Sequence, residues 1–417
     1  MLPKRVERLH TLSYTLRTRL GFTYTPDSQS YMQFRACYTS DKSLEQKRQF
    51  PANGYEIIDQ CIKLEEEQLP CYEPSHFYPV RLGQIFKDRY QVVAKLGYGS
   101  TSTTWLGRDL QNRRYVTLKV HINSLPRNQG LHIYQHLKAL GASNHIGQFS
   151  IRMLKESFQL RGPHGSHDVF VLPPLGISLK ALQERMPGEV FYREFVKAAI
   201  QQSLPALDFL HTDAGITHTN QDLHSGNLLV GISDESVLAE YEVTEFERPT
   251  PRKESGDTTI YVSRLLLSEP GPLHLCDFGG ARIGSEHEGV AMPIQYRAPE
   301  VLLGMKWGHA VDMWSLGLMA WDLLESSSLF QVYDGEDKEA NEAHHLANMV
   351  ALLGPPPAEF LSRSDKSRKY WNDQGIIHEA TSDVAVQTPI CQESGSWDTA
   401  HKLLMTLPLL EPAPNMT

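Results

Sequence analysis

The order of the strand-forming and helix-forming segments is the feature that most constrains the fold of this chain. Two β-branched runs, "YQVVAKLG" (90–97) and "RRYVTLKVHI" (113–122), predict antiparallel strands joined by Gly-rich and polar turns, and "DVFVLPPLG" (168–176) predicts another strand. Later, "EFVKAAIQQSLPALDFLH" (194–211) has apolar residues at helical spacing, and the apolar "VDMWSLGLMAWDLLE" (311–325) is typical of a buried helix. This order predicts an α+β fold with a small antiparallel-sheet lobe and a larger helical lobe.

Length and composition narrow the class of protein. The chain has 417 residues, of which 41% are hydrophobic and 21% charged, so it can form a sizeable core. Its formal net charge of -9 argues against a general nucleic-acid binder and suits basic partners. Its cysteines form no C-x-x-C pair, which suits a reducing, intracellular setting, and no apolar run has the length of a membrane span. The basic N-terminus (1–24) suits either a cleaved transit peptide or a disordered tail.

A Gly-rich segment between two predicted strands is suited to binding phosphate groups. In "GYGSTS" (97–102) the glycines would let backbone amides approach phosphates without a Cβ in the way, although the pattern also suits a simple hairpin turn. Lys119 follows on the next predicted strand, where its ammonium group would neutralise α- and β-phosphates. The combination of this loop with Lys119 therefore favours nucleotide binding over a plain turn.

Three polar residues in the second half of the chain have the chemistry of a phosphotransferase. They are Asp222 and Asn227 in "HTNQDLHSGNLLV" and Asp277 in "LHLCDFGGAR". Each is a weak indication alone, but "MPIQYRAPEVLLG" (292–304) and "VDMWSLG" (311–317) follow them in order, which makes the set specific. Phosphoryl transfer requires positioning and charge neutralisation. Asp222 would accept the proton of a substrate hydroxyl, and the oxygens of Asn227 and Asp277 would hold Mg²⁺, a hard cation.

In this order the motifs resemble those of eukaryotic protein kinases. They are similar in particular to the SR-protein kinases, the family that phosphorylates serines in Arg/Ser-rich splicing factors. The closer resemblance rests on "FYPVRLGQIFKDRYQVVAKLGYGSTSTTWLGRDL", "VLPPLG", "QYRAPEVLLG" and "LFQVYDGEDKEANEAHHLANMVALLGPPP", and it covers roughly residues 77–372.

The resemblance implies a two-lobed serine/threonine kinase that binds ATP and Mg²⁺ between its lobes. The adenine would contact the backbone of Pro173 and Leu175, and Pro173 is tolerable there because only its carbonyl is asked to accept a hydrogen bond. Lys119 would contact the phosphates and Asp222 would be the catalytic base. The nucleotide would lie under a segment that consists of Leu96, Gly97, Tyr98, Gly99, Ser100, Thr101 and Ser102.

The resemblance also implies that the substrates are proteins, with Arg/Ser-rich ones expected. The net charge and the lack of a long apolar run predict no direct binding to nucleic acid or membranes. A group of acidic side chains in the helical lobe would receive the arginines of such a substrate. These side chains are Asp334, Glu336, Asp337 and Glu339. A solvated acidic loop is the competing interpretation, since runs of charge usually have that role.

Several positions depart from the family pattern. Gly130 stands where the helix after the phosphate-contacting lysine should offer a Glu. His224 stands where a Lys normally contacts the transferring phosphate, and a neutral imidazole would supply less charge there than an ammonium, although a protonated His could partly replace it. The catalytic loop has two extra residues and no Arg before its Asp, and Pro293 replaces a Thr. No late Arg motif follows to pair with Glu300, so the end of the helical lobe is expected to be truncated or replaced.

The sequence predicts four regions and one insertion. Residues 1–75 form an irregular basic and polar extension, 76–176 the sheet lobe and hinge, 177–372 the helical lobe, and 373–417 an atypical tail. The segment 231–272 between Asn227 and Asp277 is too long for a simple connection and is expected to be a surface loop.

Two other functions remain open from the sequence. Gly130, His224 and the tail favour a pseudokinase, which would bind nucleotide or a partner with little transfer. The stretch "DLHSGN" is similar to the loop of aminoglycoside and choline kinases, which favours a small-molecule phosphotransferase, whereas "RAPE" and "DMWSLG" belong to protein kinases. The expected location is the cytoplasm, the nucleus or both, with the mitochondrion as a minority alternative.

Overall fold

The computed structural model describes residues 46–125, 127–219, 223–331 and 337–372. The basic N-terminus and the tail after 372, on which the transit-peptide and tail predictions rest, lie outside the described residues. In the described part of the chain no helix is long and apolar enough to cross a membrane. The strands are β1 (Ile85–Phe86), β2 (Tyr90–Gly99), β3 (Ser102–Asp109), β4 (Arg114–His121), β5 (Glu156–Gly162), β6 (Gly165–Leu172), β7 (Ile216–Thr217), β8 (Leu228–Ile232), β9 (Arg252–Ser255), β10 (Thr258–Tyr261), β11 (Pro270–Leu275) and β12 (Arg282–Ile283). The helices are α1 (Gln129–Leu140), α2 (Leu179–Gln183), α3 (Arg193–Thr212), α4 (Ser236–Glu247), α5 (Pro299–Leu302), α6 (Ala310–Leu324), α7 (Lys338–Leu353) and α8 (Ala358–Leu361).

The chain divides into two compact units. Unit 1 contains the chain up to Asn128 together with Arg152–Ile177 and Leu229–His274. Unit 2 contains Gln129–Ile151, Ser178–Leu228 and the chain from Leu275 onward. The insertion therefore groups with the sheet unit, although it lies between two segments of the helical unit in the sequence.

Unit 1 is built on a six-stranded sheet with the strand order β1-β2-β3-β4-β6-β5, and neighbouring strands are antiparallel. β2, β4 and β6 confirm the strands predicted near 90–97, 113–122 and 168–176. The segment between the first two was interpreted as turns, but most of it is β3. Its Ser and Thr residues resemble a turn in composition, yet Thr is well suited to a pleated strand once both neighbouring strands are present.

Each face of this sheet carries an apolar cluster. One face carries Val92, Trp105, Val116 and Leu118, which belong to an apolar cluster with Tyr261 from the insertion. The other face includes Leu106 and Tyr115, and the apolar residues that cover it come from the insertion as well: Val237, Leu238 and Leu266. A sheet covered on both faces requires long apolar or β-branched runs, as this sequence has.

The insertion is folded, and the prediction of a surface loop for it is wrong. It contains α4 and the β9–β10 hairpin, and β8 pairs with β11 at its two ends. Glu242 of α4 is 1% exposed and accepts a hydrogen bond of 2.5 Å from the hydroxyl of Tyr115 in the sheet. Apolar burial and this buried contact give the insertion its structure, which the mixed charge of its sequence did not indicate.

The N-terminal extension also packs into unit 1 through three consecutive glutamates. They lie in a short 3-10 helix, Glu65–Gln68. Glu65 accepts a hydrogen bond from the Ser263 hydroxyl at 2.5 Å, and Glu67 pairs with Lys253 at 2.8 Å. Glu66 pairs with Lys95 of β2, whose side chain is fully buried. The extension is therefore tied to both the insertion and the sheet.

Unit 2 is mainly helical. α3 and α6 confirm the helices predicted for 194–211 and 311–325. α6 is apolar on nearly all sides because it is buried, and its Leu318 joins a cluster with residues of α5 and α7. Trp371, near the end of the described chain, packs in the same cluster.

Candidate active site

The Gly-rich segment forms the turn between β2 and β3. Gly99 pairs with Ser102, so Ser100 and Thr101 occupy the tip of the hairpin. A Cβ added at Gly97 or Gly99 would meet nothing within 4 Å, so the backbone has open space beside it. The segment is thus a hairpin, as one interpretation held, and it also leaves the room that phosphate binding requires.

Lys119 lies in the middle of the sheet on β4. It is directly opposite Thr104 of β3 on one side and Phe170 of β6 on the other. Its side chain is partly exposed, and because side chains alternate along a strand it shares its face with Thr117. A central strand fixes the position of this ammonium group more firmly than a loop would.

The segment "PPLG" (173–176), called the hinge below, follows β6. Leu175 is 7% exposed, and the Gly176 N–H donates to the carbonyl oxygen of Val230 at 2.8 Å. The carbonyl oxygen of Pro173 accepts two hydrogen bonds from the guanidinium of Arg152, from Nε at 3.0 Å and from Nη2 at 2.7 Å. The role of Arg152 was not predictable from the sequence, because a single Arg before a strand has no distinctive pattern.

The start of the catalytic loop in unit 2 is held by Asp312 of α6. Its carboxylate accepts hydrogen bonds from the backbone N–H of His218 at 2.8 Å and of Thr219 at 2.7 Å. Asp222 lies outside the described residues, but the chain on either side is anchored, because the Leu223 N–H donates to the Thr219 carbonyl oxygen at 3.0 Å. Asp312 was visible in "VDMWSLG", but only the fold shows that it supports the loop.

His224 caps the short 3-10 helix Ser225–Asn227. Its Nδ1 accepts a hydrogen bond of 3.0 Å from the Gly226 N–H. Burial is the main reason why the pKa of His224 lies below its ordinary value, and nearby Lys180 lowers it further. The imidazole is therefore neutral near pH 7 and does not replace the missing lysine charge. Lys180, on α2, is the nearby cation that sequence analysis did not single out.

Asn227 and Asp277, the two predicted metal ligands, are brought together in unit 2. The N–H of Cys276, next to Asp277, donates to the Asn227 carbonyl oxygen at 2.9 Å. Asp277 has a left-handed backbone conformation with φ of 60°, and Phe278 after it is fully buried. Across residues 46–125, 127–219, 223–331 and 337–372 no group of three His, Cys, Asp or Glu side chains could hold a metal ion. An amide and one carboxylate fit Mg²⁺, which usually binds one or two protein oxygens together with substrate phosphates.

The "QYRAPE" segment is fixed by Arg297 and α7. Arg297 donates to the carbonyl oxygens of Ala291 and Met292, and its guanidinium lies 3.8 Å from Glu342 of α7. Pro293 directly precedes a short 3-10 helix. Glu300 forms no salt bridge with any residue in the described ranges, and burial raises its pKa. The charge of Arg363 lowers this pKa in part.

The acidic residues proposed for substrate docking are only partly described. Asp334 and Glu336 lie outside the described residues. Asp337 caps α7 by accepting a hydrogen bond of 2.9 Å from the Ala340 N–H, and Glu339 pairs with Lys369 at 2.6 Å. Gly130 is buried in α1, whose residues include no acid.

Comparison with known proteins identifies the family. The protein kinase domain family matches residues 90–373. A serine/threonine protein kinase of Aspergillus fumigatus is 40% identical over 329 residues, which cover 78% of this chain and 79% of that protein. The serine/threonine-protein kinase SRPK of Physarum polycephalum is 31% identical and covers 75% of this chain and 78% of that protein. A crystal structure of a kinase domain has a TM-score of 0.60 at 24% identity, and the match covers 82% of this chain and 97% of that chain.

The chain belongs to the protein kinase family. The structural match shows the fold, and the relatives confirm the prediction of a serine/threonine protein kinase similar to the SR-protein kinases. These matches give no support to the pseudokinase alternative.

Proposed function

We propose that the protein transfers the γ-phosphate of ATP, with Mg²⁺, to serine or threonine in Arg/Ser-rich proteins. The observation that supports this proposal is the backbone hydrogen bond from the Cys276 N–H to the Asn227 carbonyl oxygen, which joins the segments that carry the Asn227 amide and the Asp277 carboxylate in unit 2. These are the oxygen ligands that phosphoryl transfer with a hard cation requires.

Each reacting residue has a distinct role in this proposal. The substrate hydroxyl oxygen bonds to the γ-phosphorus as the bond from that phosphorus to the β–γ bridging oxygen breaks. The hydroxyl proton passes to Asp222, and ADP leaves with the electron pair of the bridging oxygen. Lys119 neutralises the α- and β-phosphates. Asn227 and Asp277 would hold Mg²⁺, which would supply positive charge to the phosphates during transfer.

His224 and Gly130 are the departures that this mechanism has to tolerate. His224 orients the loop through its bond to the Gly226 N–H, but as a neutral ring it adds no charge at the transferring phosphate. Lys119 relies on contacts other than a carboxylate of α1, since that helix has none. We therefore expect slow but measurable transfer.

The substrate class rests on similarity and charge. Relatives include SRPK of Physarum polycephalum and a protein named SRSF protein kinase 3 from Sus scrofa, the latter at 23% identity. The net charge of -9 favours basic substrates. Asp334 and Glu336 are the acidic residues proposed to receive substrate arginines, because Asp337 and Glu339 already have partners within the protein. Action on such substrates would take place in the cytoplasm or nucleus.

The test is transfer of radiolabelled γ-phosphate from ATP to an Arg/Ser-repeat peptide in the presence of Mg²⁺. Asp222→Ala should lower the rate by roughly 10²- to 10⁴-fold, the usual size of a general-base contribution. Asp365→Ala is the matched control, since the Asp365 side chain is 95% exposed and pairs only with an exposed Arg. A Lys/Ser-repeat peptide tests whether arginine is required.

The outcomes separate the alternatives. Labelling that disappears in Asp222→Ala supports the proposal. Tight binding of Mg·ATP without labelling of any peptide or protein would identify a pseudokinase. Phosphate on an amino alcohol or sugar, and none on protein, would identify a small-molecule phosphotransferase.

A further inference from the structure

The hinge of unit 1 has lost its free hydrogen-bond acceptor. The Pro173 carbonyl, which would meet the amino group of an adenine, accepts hydrogen bonds from both Nε and Nη2 of Arg152. A carbonyl oxygen has two lone pairs, so these two bonds use its capacity. Arg152 is 8% exposed, which means that its guanidinium is held in place by its surroundings.

With Arg152 bonded to Pro173, a bound base would meet hydrogen-bond donors at this position in place of a free carbonyl acceptor. Adenine presents a hydrogen-bond donor at its 6-position, whereas guanine presents an acceptor there. A guanidinium has donors only, so it opposes a 6-amino group and suits a 6-oxo group. Pro173 and Pro174 have no N–H, and the Gly176 N–H already donates to Val230. Leu175 is therefore the hinge residue whose N–H is left for the base.

Thr117 provides a second, independent observation close to the hinge. It lies directly opposite Leu172, the residue before Pro173, and shares the face of Lys119 because the two are two positions apart on β4. Its hydroxyl is buried, and among the residues that the structure describes it has no hydrogen-bond partner. A group of a bound ligand can satisfy such a hydroxyl.

We propose that Arg152 and Thr117 make this protein accept GTP as a phosphate donor about as well as ATP. Arg152 occupies the acceptor that favours adenine and offers donors that suit the O6 of guanine. The inference rests on the proposed function for the transfer itself, in which GTP takes the place of ATP and GDP leaves with the bridging-oxygen electron pair. Discrimination between the two bases is then weak, because a kinase hinge selects adenine by hydrogen bonds to that carbonyl.

The test compares the two nucleotides on the full-length protein and two Arg152 variants. KM values for Mg·ATP and Mg·GTP are measured with the Arg/Ser-repeat peptide, and Kd values are measured calorimetrically without peptide. In the wild type the KM and Kd values for the two nucleotides should agree within about tenfold. Arg152→Leu frees the Pro173 carbonyl and should raise the GTP-to-ATP ratio of these constants by about tenfold or more. Arg152→Lys replaces the two donor nitrogens by one, so its ratio should lie between those of the wild type and Arg152→Leu.

Each outcome decides the inference. A wild-type preference for ATP of more than about a hundredfold, with the same ratio in Arg152→Leu, overturns it, since Arg152 then moves aside for adenine. If Arg152→Leu lowers the melting temperature so far that it cannot be assayed, Thr117→Val replaces it, because it removes only the hydroxyl without a partner. Thr117→Val should raise the Kd of both nucleotides, because a hydroxyl can donate to the O6 of guanine and accept from the amino group of adenine, and unchanged Kd values overturn the inference. If the wild type transfers phosphate from neither nucleotide, the proposed function fails, and the Kd ratios still decide the inference.

Discussion

The N–H of Cys276 donates a 2.9 Å hydrogen bond to the carbonyl oxygen of Asn227. This bond joins the catalytic loop to the segment of Asp277, so the backbone positions of the two proposed metal ligands are linked within unit 2. Asp277 itself has φ of 60°, a conformation that a non-Gly residue adopts only when its surroundings hold it there.

We expect Asp277→Ala to abolish most of the transfer activity without unfolding the protein. The variant removes the carboxylate of the pair, and kcat should fall by about 10²- to 10³-fold, the size of a lost electrostatic contact in an active site. The Mg²⁺ concentration for half-maximal activity should rise. Peptide phosphorylation across a Mg²⁺ titration measures both, with Asp365→Ala as the surface control. Wild-type kcat and Mg²⁺ dependence in the variant would exclude Asp277 as a ligand.

His224→Lys should add a positive charge to the catalytic loop and remove the hydrogen bond that His224 accepts from the Gly226 N–H. Burial lowers the pKa of His224, so the wild-type ring is neutral at pH 7 and the added ammonium should raise kcat by about tenfold. A Lys cannot accept the Gly226 N–H, so the free energy of unfolding should fall by about 1 kcal/mol.

His224→Asn is the matched control for this prediction. An Asn side chain can accept the Gly226 N–H but has no charge, so stability should stay near the wild-type value while kcat does not increase. Equal kcat values for the Lys and Asn variants would contradict a role for charge at this position. Steady-state kinetics and thermal melting measure the two effects separately.

Glu66→Ala should destabilise unit 1 strongly. The variant leaves the fully buried Lys95 ammonium without its nearest carboxylate, which costs roughly 3–5 kcal/mol for a buried pair. Chemical denaturation measures the change, and Glu73→Ala is the control because Glu73 is exposed.

A double variant separates the charge effect from packing. Replacing both partners, with Glu66→Leu and Lys95→Met together, should cost much less than Glu66→Ala alone, because no buried charge remains. If the double variant is as unstable as the single one, the extension stabilises unit 1 through packing and not through this ion pair. If Glu66→Ala is as stable as Glu73→Ala, the extension does not hold the sheet.

Stability should fall as the pH drops from about 6.5 to 4, partly because of His345 on α7. The side chain is 2% exposed, and burial lowers its pKa from 6.5 to about 4, with the charge of Arg297 and nearby His344 contributing. In this pH range His345 binds a proton in the unfolded chain but stays neutral in the folded protein. The loss should reach about 3 kcal/mol at pH 4 and be absent above pH 6.5.

His345→Gln tests this prediction by removing the titration while keeping a donor for the Arg297 carbonyl oxygen, which the wild-type Nε2 contacts at 3.1 Å. The free energy of unfolding of the variant should depend less on pH between 4 and 6.5 than that of the wild type. Parallel pH profiles for the two proteins would show that His345 titrates normally in the fold.

Residues whose chemistry depends on order along the chain were predictable from the sequence. The alternating and helical patterns gave β2, β4, β6, α3 and α6, and the sequence order of Lys119, Asp222, Asn227 and Asp277 gave the kinase class. These signals are local, because side-chain periodicity and motif spacing are properties of neighbouring residues.

Only the tertiary structure decided what depends on partners distant in the sequence. Nothing local to Arg152 indicates that it bonds to Pro173, and nothing in Glu65–Glu67 indicates that these glutamates meet Lys95, Lys253 and Ser263. The insertion was misjudged for the same reason, since its mixed charge is typical of a loop until Glu242 and Leu266 are buried against the sheet. Burial converts such residues from solvated charges into fixed contacts, and the sequence alone does not state which surfaces will be buried.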